Sequence, residues 1–318
     1  MVIRFTIIFF LLCFFGFSAF SQESRQKSVE QLIKELKGDN RNLSDAAIDE
    51  LASRKDEFLT VLTSLAQQTD ETSIVRARAI ITLSKIRNKK SVPFLIKLLD
   101  DRESYVRGTS AYALSQIGGE RAKTALVAFL KRCWEKDREN LSRAAEAIKE
   151  LPDARAFPTL MKIVNAAIQH KSVGDTFLNR EPPDGIYISL RYEVQALGEI
   201  GDPRASEPIA RLLDSTISYQ DSIDYLYLEA IYKTKGKDAV PYLLSYLESL
   251  VKKMKGQEKP ENDSGAANRQ ILQNFWSYEQ TIKCLEAITG QHSLGDTRED
   301  VLKFWQQFWK SKRIKSEQ

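Results

Sequence analysis

The sequence predicts an all-α fold in which helix pairs stack into a solenoid, and three observations carry that prediction. The apolar pattern of Val75-Arg76, Leu83, Ile86, Leu95 and Leu98-Leu99 returns 31 residues later as Val106-Arg107, Leu114, Ile117, Leu126 and Phe129-Leu130. A unit copied at such a period cannot bury its apolar face alone and buries it against its neighbours. Within each copy the apolar residues follow i, i+3, i+4, i+7 spacing, with no period-two alternation that would argue for strands. Breakers stand between the helical stretches: Gly118-Gly119, Pro152-Asp153 and Gly201-Asp202-Pro203. Glycine supplies a left-handed cap there, and proline cannot continue a helix.

Each copy can be read from one reference residue. An aliphatic residue lies three before it, a small one four before it, another aliphatic nine after it, and an apolar pair twelve and thirteen after it. Ile86, Ile117, Leu151 and Ile200 satisfy this template. Thr234 heads a weaker copy with Ala230, Ile231, Leu243, Tyr246 and Leu247, Ile288 keeps only the first half, and Leu51 heads a degenerate first copy. The small residue lets neighbouring helices approach closely. The repeat therefore reads as a loop, an outer helix, a tight turn and an inner helix that ends at the reference residue, about seven pairs in all.

Several segments carry a family resemblance. Val75-Arg76-Ala77-Arg78-Ala79, Tyr105-Val106-Arg107-Gly108, and Ala196-Leu197-Gly198-Glu199-Ile200-Gly201-Asp202-Pro203-Arg204-Ala205 resemble HEAT repeats. The likeness is to the short HEAT-like type named from phycobilisome lyases, and it spans roughly residues 28–290. It implies a right-handed α-α superhelix with the inner helices lining a concave groove, and it is nearly silent on function, because such repeats serve unrelated proteins. It also implies that Arg76 and Arg107, at the starts of inner helices, pair with acids in the adjoining turns: Asp70 for Arg76, and Asp100 or Asp101 for Arg107.

Two inserts break the period. Residues 170–186 carry Pro182-Pro183 and two glycines, and residues 255–269 are polar. Both read as surface loops. At the C-terminal end, Thr297 and Asp300 approximate a capping box. The helix they open puts Val301, Phe304, Trp305 and Phe308 on one stripe, with Leu302 and Trp309 at its margins. That stripe is expected to cover the open apolar end of the stack. The domain plan is residues 1–21, a solenoid over 22–290, and a capping helix with a basic tail over 291–318.

The first 21 residues are of another kind. Arg4 is followed by an apolar run from Phe5 to Phe17, and Ala19-Phe20-Ser21 sets small residues for cleavage before Gln22. This is the pattern of a secretory signal, which predicts a secreted, periplasmic protein. An uncleaved anchor in the inner membrane is the alternative, since the run approaches spanning length. No later stretch does. The net charge of +4, from 47 basic and 43 acidic side chains, is too small and too dispersed for a nucleic-acid footprint. The mature chain would hold Cys133 and Cys284, too far apart in a stack to form a disulfide and expected to be buried free thiols.

Searches for chemistry return little. There is no glycine-rich phosphate loop, Gly-x-Ser-x-Gly elbow or Cys-x-x-Cys pair. The only histidines, His170 and His292, have no second metal ligand at helical spacing. Neither a cofactor, a metal nor catalysis is expected. Asp100-Asp101, Asp221 and Asp224 are read as helix caps.

What remains is the groove. Residues nine, five and two before each reference residue share one helix face. The candidate partner-binding residues on it are Tyr112, Ser115, Glu146, Lys149, Arg191, Gln195, Tyr225, Glu229 and Tyr232, interspersed with Gly108, Ser142 and Gly198. Tyrosines among small polar residues suit a contact surface, because they bury much area at low entropic cost. Tyr187, Tyr192, Tyr219 and Tyr227 cluster nearby in sequence. The expected function is a non-catalytic scaffold of the bacterial envelope that binds a protein or peptide. The alternatives are a lyase-like or other enzyme built on these repeats, and an N-terminally anchored structural protein.

Overall fold

A computed structural model describes residues 27–172, 190–213, 224–261 and 264–316. The expected signal segment, most of the first insert, and Tyr187, Tyr219 and Asp221 lie outside them. Among the described residues there are fifteen α-helices, six short 3-10 helices and no strand. The helices group into two compact units, residues 1–86 and 87–318, so the boundary falls inside the array read from the sequence.

The first unit holds α1 (Val29–Lys37), α2 (Arg41–Ser53), α3 (Leu59–Gln67) and α4 (Ser73–Ile86). Ser28 opens α1 with a capping box: the Gln31 N–H donates to Ser28 Oγ at 3.3 Å, and the Ser28 N–H donates to Gln31 Oε1 at 3.1 Å. Helix α4 packs against α1, α2 and α3, so even its polar residues are enclosed. Each then needs an internal acceptor. Arg76, 1 % exposed, donates from Nε to the Ala66 carbonyl at the end of α3 (3.0 Å), and Thr82 Oγ1 donates to the Arg78 carbonyl (2.8 Å).

The second unit comprises α5 (Val92–Leu98), α6 (Ser104–Ile117), α7 (Glu120–Lys136), α8 (Leu141–Glu150), α9 (Phe157–Ser172) and α10 (Arg191–Ile200). It continues with α11 (Ser206–Leu213), α12 (Asp224–Thr234), α13 (Val240–Lys253), α14 (Ala266–Thr289) and α15 (Arg298–Ser316). These form two rows. The even-numbered helices pack in sequence, α6 on α8, α8 on α10, α10 on α12 and α12 on α14, and the odd-numbered helices α5 to α13 do the same beside them. Between the rows lie Leu114, Leu126, Ile148, Leu160, Leu197, Ile209, Ile231 and Leu243, all fully buried and all at template positions. Each such side chain contributes about 1.5–3 kcal/mol by leaving water.

The even row is spaced by small residues. Ala113, Ala147, Ala196, Ala230 and Cys284, four before the reference residues, are at most 2 % exposed. At Gly198 the helices come close enough that an added Cβ would lie 2.9 Å from Ala230 Cα.

Helix ends repeat one device. The residue after the reference turns left-handed at Arg87, Gly118, Gly201 and Lys235. One residue later, the side chains of Asn88, Asp153 and Asp202 accept from the backbone N–H two residues on, opening the 3-10 turns Lys89–Ser91, Ala154–Ala156 and Pro203–Ala205. Gly236 holds the same position without a side chain. A Cβ there would meet the Pro203 carbonyl at 2.2 Å, and the N–H donates to Ser206 Oγ (2.7 Å) instead. The same Ser206 hydroxyl bonds Thr234 Oγ1 at 2.5 Å, which accounts for a hydroxyl in place of the expected aliphatic reference residue.

At the C-terminal end, Thr297 caps α15 as expected. Its hydroxyl accepts from the Asp300 N–H (3.1 Å) and donates to the Asp300 carboxylate (2.7 Å). Helix α15 packs on α13, with Trp305 fully buried and Phe304 and Phe308 packed edge-to-face against its ring.

Gly198 packs against the backbone of Ala230 with no space for a side chain. Gly198→Ala should destabilise the chain by about 1–3 kcal/mol despite its higher helix propensity. An unchanged urea midpoint would contradict the close packing of α10 on α12.

Candidate functional site

All nine candidate residues lie in the second unit, on the even-numbered helices. Tyr112 and Tyr232 are well exposed, at 43 % and 47 %, and Arg191 and Glu229 are also exposed. Glu146, Lys149, Gln195 and Tyr225 are half-buried. Ser115 is a correction: it is 6 % exposed and its hydroxyl donates to the Tyr112 carbonyl (2.7 Å), so it lies beneath this face. Gly108 and Gly198 are buried as well, under Arg143 and against Ala230. Short residues two before the reference are consumed by helix packing, and long ones emerge.

Side chains cross from each helix of the row to the next. The Arg143 guanidinium (α8) lies 5.8 Å from the Tyr105 ring (α6), and Lys149 Nζ (α8) lies 5.7 Å from the Tyr192 ring (α10). Lys233 Nζ (α12) reaches Glu199 (α10) at 2.6 Å and Glu229 on its own helix at 2.7 Å. Tyr225 (α12) meets Trp276 (α14) edge-to-face, with ring centroids 5.8 Å apart. One continuous surface of aromatic and charged groups therefore runs from α6 to α14.

At its α12–α14 end this surface deepens into an open cleft of about 650 Å³. Tyr225, Glu229 and Tyr232 form one wall, spaced along a single stripe of α12, and Trp276, Gln280 and Lys283 form the other. Leu228 and Cys284 make the floor, where the Cys284 thiol donates to the Leu228 carbonyl at 3.3 Å. Three candidate residues thus converge on one site. The opposite wall was missed because the copy at Ile288 is incomplete and α14, at 24 residues, overruns the template. Carrying the same spacing to that copy points to Lys283 and Glu286, both at the cleft.

The chemistry of these groups is subdued. Burial pushes both the Cys133 and Cys284 thiols up to about 12, so each stays protonated at neutral pH, and both are free. His292, at the cleft mouth, lies 3.8 Å from Glu286, whose Oε1 accepts the Ser293 N–H and hydroxyl. Among the described residues no three His, Cys, Asp or Glu side chains converge as metal ligands, and no helix is long and apolar enough to cross a membrane.

Arg107 is a second correction. Its carboxylate partner is neither Asp100 nor Asp101 but Asp137, 30 residues on, held by two bonds of 2.7 and 2.9 Å. Asp101 contributes its backbone carbonyl, and Asp100 pairs with Arg132. The pairing runs forward to the next repeat because Asp137 closes α7 directly beside the start of α6.

Behind this face, Glu193 (α10) is fully buried, and neither carboxylate oxygen has a hydrogen-bond partner. Burial pushes its carboxyl up to about 7, and the neighbouring Tyr227 phenol is raised by its own burial and then by Glu193. The equivalent positions hold the small residues Ala79, Ser110, Ala144 and Thr281 in four other repeats, and Tyr227 in the Thr234 copy.

Comparison with known families gives two matches. The family described as HEAT repeats matches residues 29–101 and 59–142, and the PBS lyase HEAT-like repeat matches residues 194–215. No curated protein matches the chain. Among solved structures, an engineered protein is similar at 19% identity and a TM-score of 0.38, covering 87% of this chain and 76% of that one. The complex of CpcE and CpcF of phycocyanin lyase from Nostoc sp. PCC7120 is similar at 17% identity and a TM-score of 0.38, covering 82% and 97%. Over the matched residues the repeats are of the HEAT and PBS lyase HEAT-like types.

Glu193 gives the second unit a definite pH response. In the unfolded chain its carboxyl ionises near 4.5, and in the folded chain near 7. Above pH 4.5 ionisation therefore favours the unfolded form, and stability falls until pH 7, by about 3 kcal/mol in all. Glu193→Gln should remove that fall, leaving the variant more stable than the parent at pH 8 and little changed at pH 4. Urea unfolding at the two pH values checks this.

Proposed function

We propose that this protein is a non-catalytic scaffold that binds a protein or peptide along the even-helix face of its second unit. The observation that carries the reading is the unbroken run of cross-helix contacts, Tyr105–Arg143, Tyr192–Lys149, Glu199–Lys233 and Tyr225–Trp276, ending in a cleft. These contacts hold long side chains in place before a partner arrives, which lowers the entropic cost of association. The exposed tyrosines Tyr112 and Tyr232 supply anchors of the kind that dominate protein interfaces. A scaffold rather than an enzyme is favoured by thiols kept protonated by burial and by a cleft whose carboxylates already serve structural bonds.

A secretory role is part of the proposal, supported by the apolar run from Phe5 and the small residues before Gln22. The mass of the chain isolated from its native envelope tests it. A mature form beginning at Gln22 is expected, and an intact Met1 would favour the anchored alternative.

Photo-crosslinking tests the binding face. A benzophenone amino acid at Tyr112 or Tyr232 should capture the same native partner, and one at Glu135 on α7 should not. Replacing Tyr112, Tyr225 and Tyr232 together by alanine, without a crosslinker, should lower affinity capture of that same partner at least tenfold while shifting the melting temperature by only a few degrees. Equal capture from Glu135, or capture unaffected by the triple substitution, would refute the assignment.

A further inference from the structure

The geometry points to the α12–α14 cleft as the receptor for a cationic side chain, arginine or lysine, presented by a protein or peptide partner. This deepens the scaffold reading and rests on it. Three other aromatic rings of the face already carry cations. Tyr105 has Arg143 over its ring, Tyr192 has Lys149 and Arg191, and Tyr232 has Lys235, all at 5.7–5.8 Å. These cations come from the chain itself.

The Tyr225–Trp276 pair breaks that pattern. Among the described residues no cation lies over either ring, although Trp276 is 36 % exposed. Among the described residues Tyr112 has no cation over its ring either, and no second ring packs against it. Two rings meeting edge-to-face at 85° make a corner in which a cation can touch one π-face and the rim of the other ring. Indole is the strongest such acceptor among the side chains.

The charge beside the corner points the same way. Glu229 stands one turn from Tyr225 on the same wall. Its cation, Lys233, is shared with Glu199, so one lysine serves two carboxylates and a net negative charge remains. Lys283 is the cleft's own cation, and among the described residues it forms no ion pair and lies over no ring. An incoming arginine or lysine would lay its methylenes on Leu228 and Tyr225 while its charged end reaches Trp276 and Glu229. A purely apolar side chain would leave Glu229 without gain, and an acidic one would be repelled.

Fluorine NMR of the full chain labelled with 5-fluorotryptophan tests this, with the Trp276 signal assigned by Trp276→Phe. The probes are blocked pentapeptides Ala-Ala-X-Ala-Ala in which X is Arg, Lys, Leu or Glu. The Trp276 signal should move with the Arg and Lys peptides and at least fivefold less, at equal concentration, with Leu and Glu. Glu229→Gln should weaken the Arg peptide threefold or more, and Lys283→Gln should strengthen it about twofold. Equal shifts with the Leu and Arg peptides would overturn the cation assignment while leaving the scaffold reading intact. A Trp276 signal that ignores every peptide at millimolar concentration would overturn it too, and only a concurrent failure of crosslinking at Tyr232 would bring down the scaffold reading itself.

Discussion

The second unit depends on how closely its even-numbered helices approach one another. Ala113, Ala147, Ala196, Ala230 and Cys284 recur at one register and are sealed from solvent. At Gly198 the approach leaves no room even for a methyl group beside Ala230. Helices drawn this near bury the flanking leucines and isoleucines without voids, which is where dispersion and hydrophobic terms are largest. The same nearness brings surface residues of adjacent helices within reach of each other, so the packing constraint also shapes the exposed face of the even row.

Several polar groups in this packing meet a hydrogen-bond partner on a neighbouring element. Arg107 crosses to Asp137, Ser206 joins Thr234 and the Gly236 N–H, and Asp153 and Asp202 satisfy the N–H groups of the turns that follow them. Most of these bonds tie consecutive repeats or consecutive helices, so they set register as well as filling valences. Glu193 departs from this, a full-sized carboxyl without a hydrogen-bond partner among the described residues, at a position where four other repeats hold small residues and one holds Tyr227. Unpaired buried polar groups cost stability wherever they occur, and here the cost is greatest once the proton has left.

The candidate surface follows from the same geometry. Residues two and five before each reference either sink into the helix contact, as Ser115 and Gly198 do, or rise over it, as Lys149 and Tyr232 do. Side-chain length decides between them. Lys149 leans on the next helix through the Tyr192 ring, an arrangement suited to a preorganised contact surface.

The repeat was legible in the residues themselves. Helical periodicity, the reference aliphatics, the turn breakers and the Thr297 cap are local signals, because they depend on which residues share a helix face or close a helix end. Tyr225, Glu229 and Tyr232 could be placed on one stripe for that reason. The far wall of the cleft, the forward pairing of Arg107 with Asp137, and the burial of Ser115 and Glu193 could not. Each depends on distances between residues of different helices, and those distances are set by packing rather than by spacing along the chain. Sequence alone thus determined that helix pairs repeat and which faces they bury, whereas the tertiary arrangement decided which side chains meet across neighbouring helices and where the surface opens.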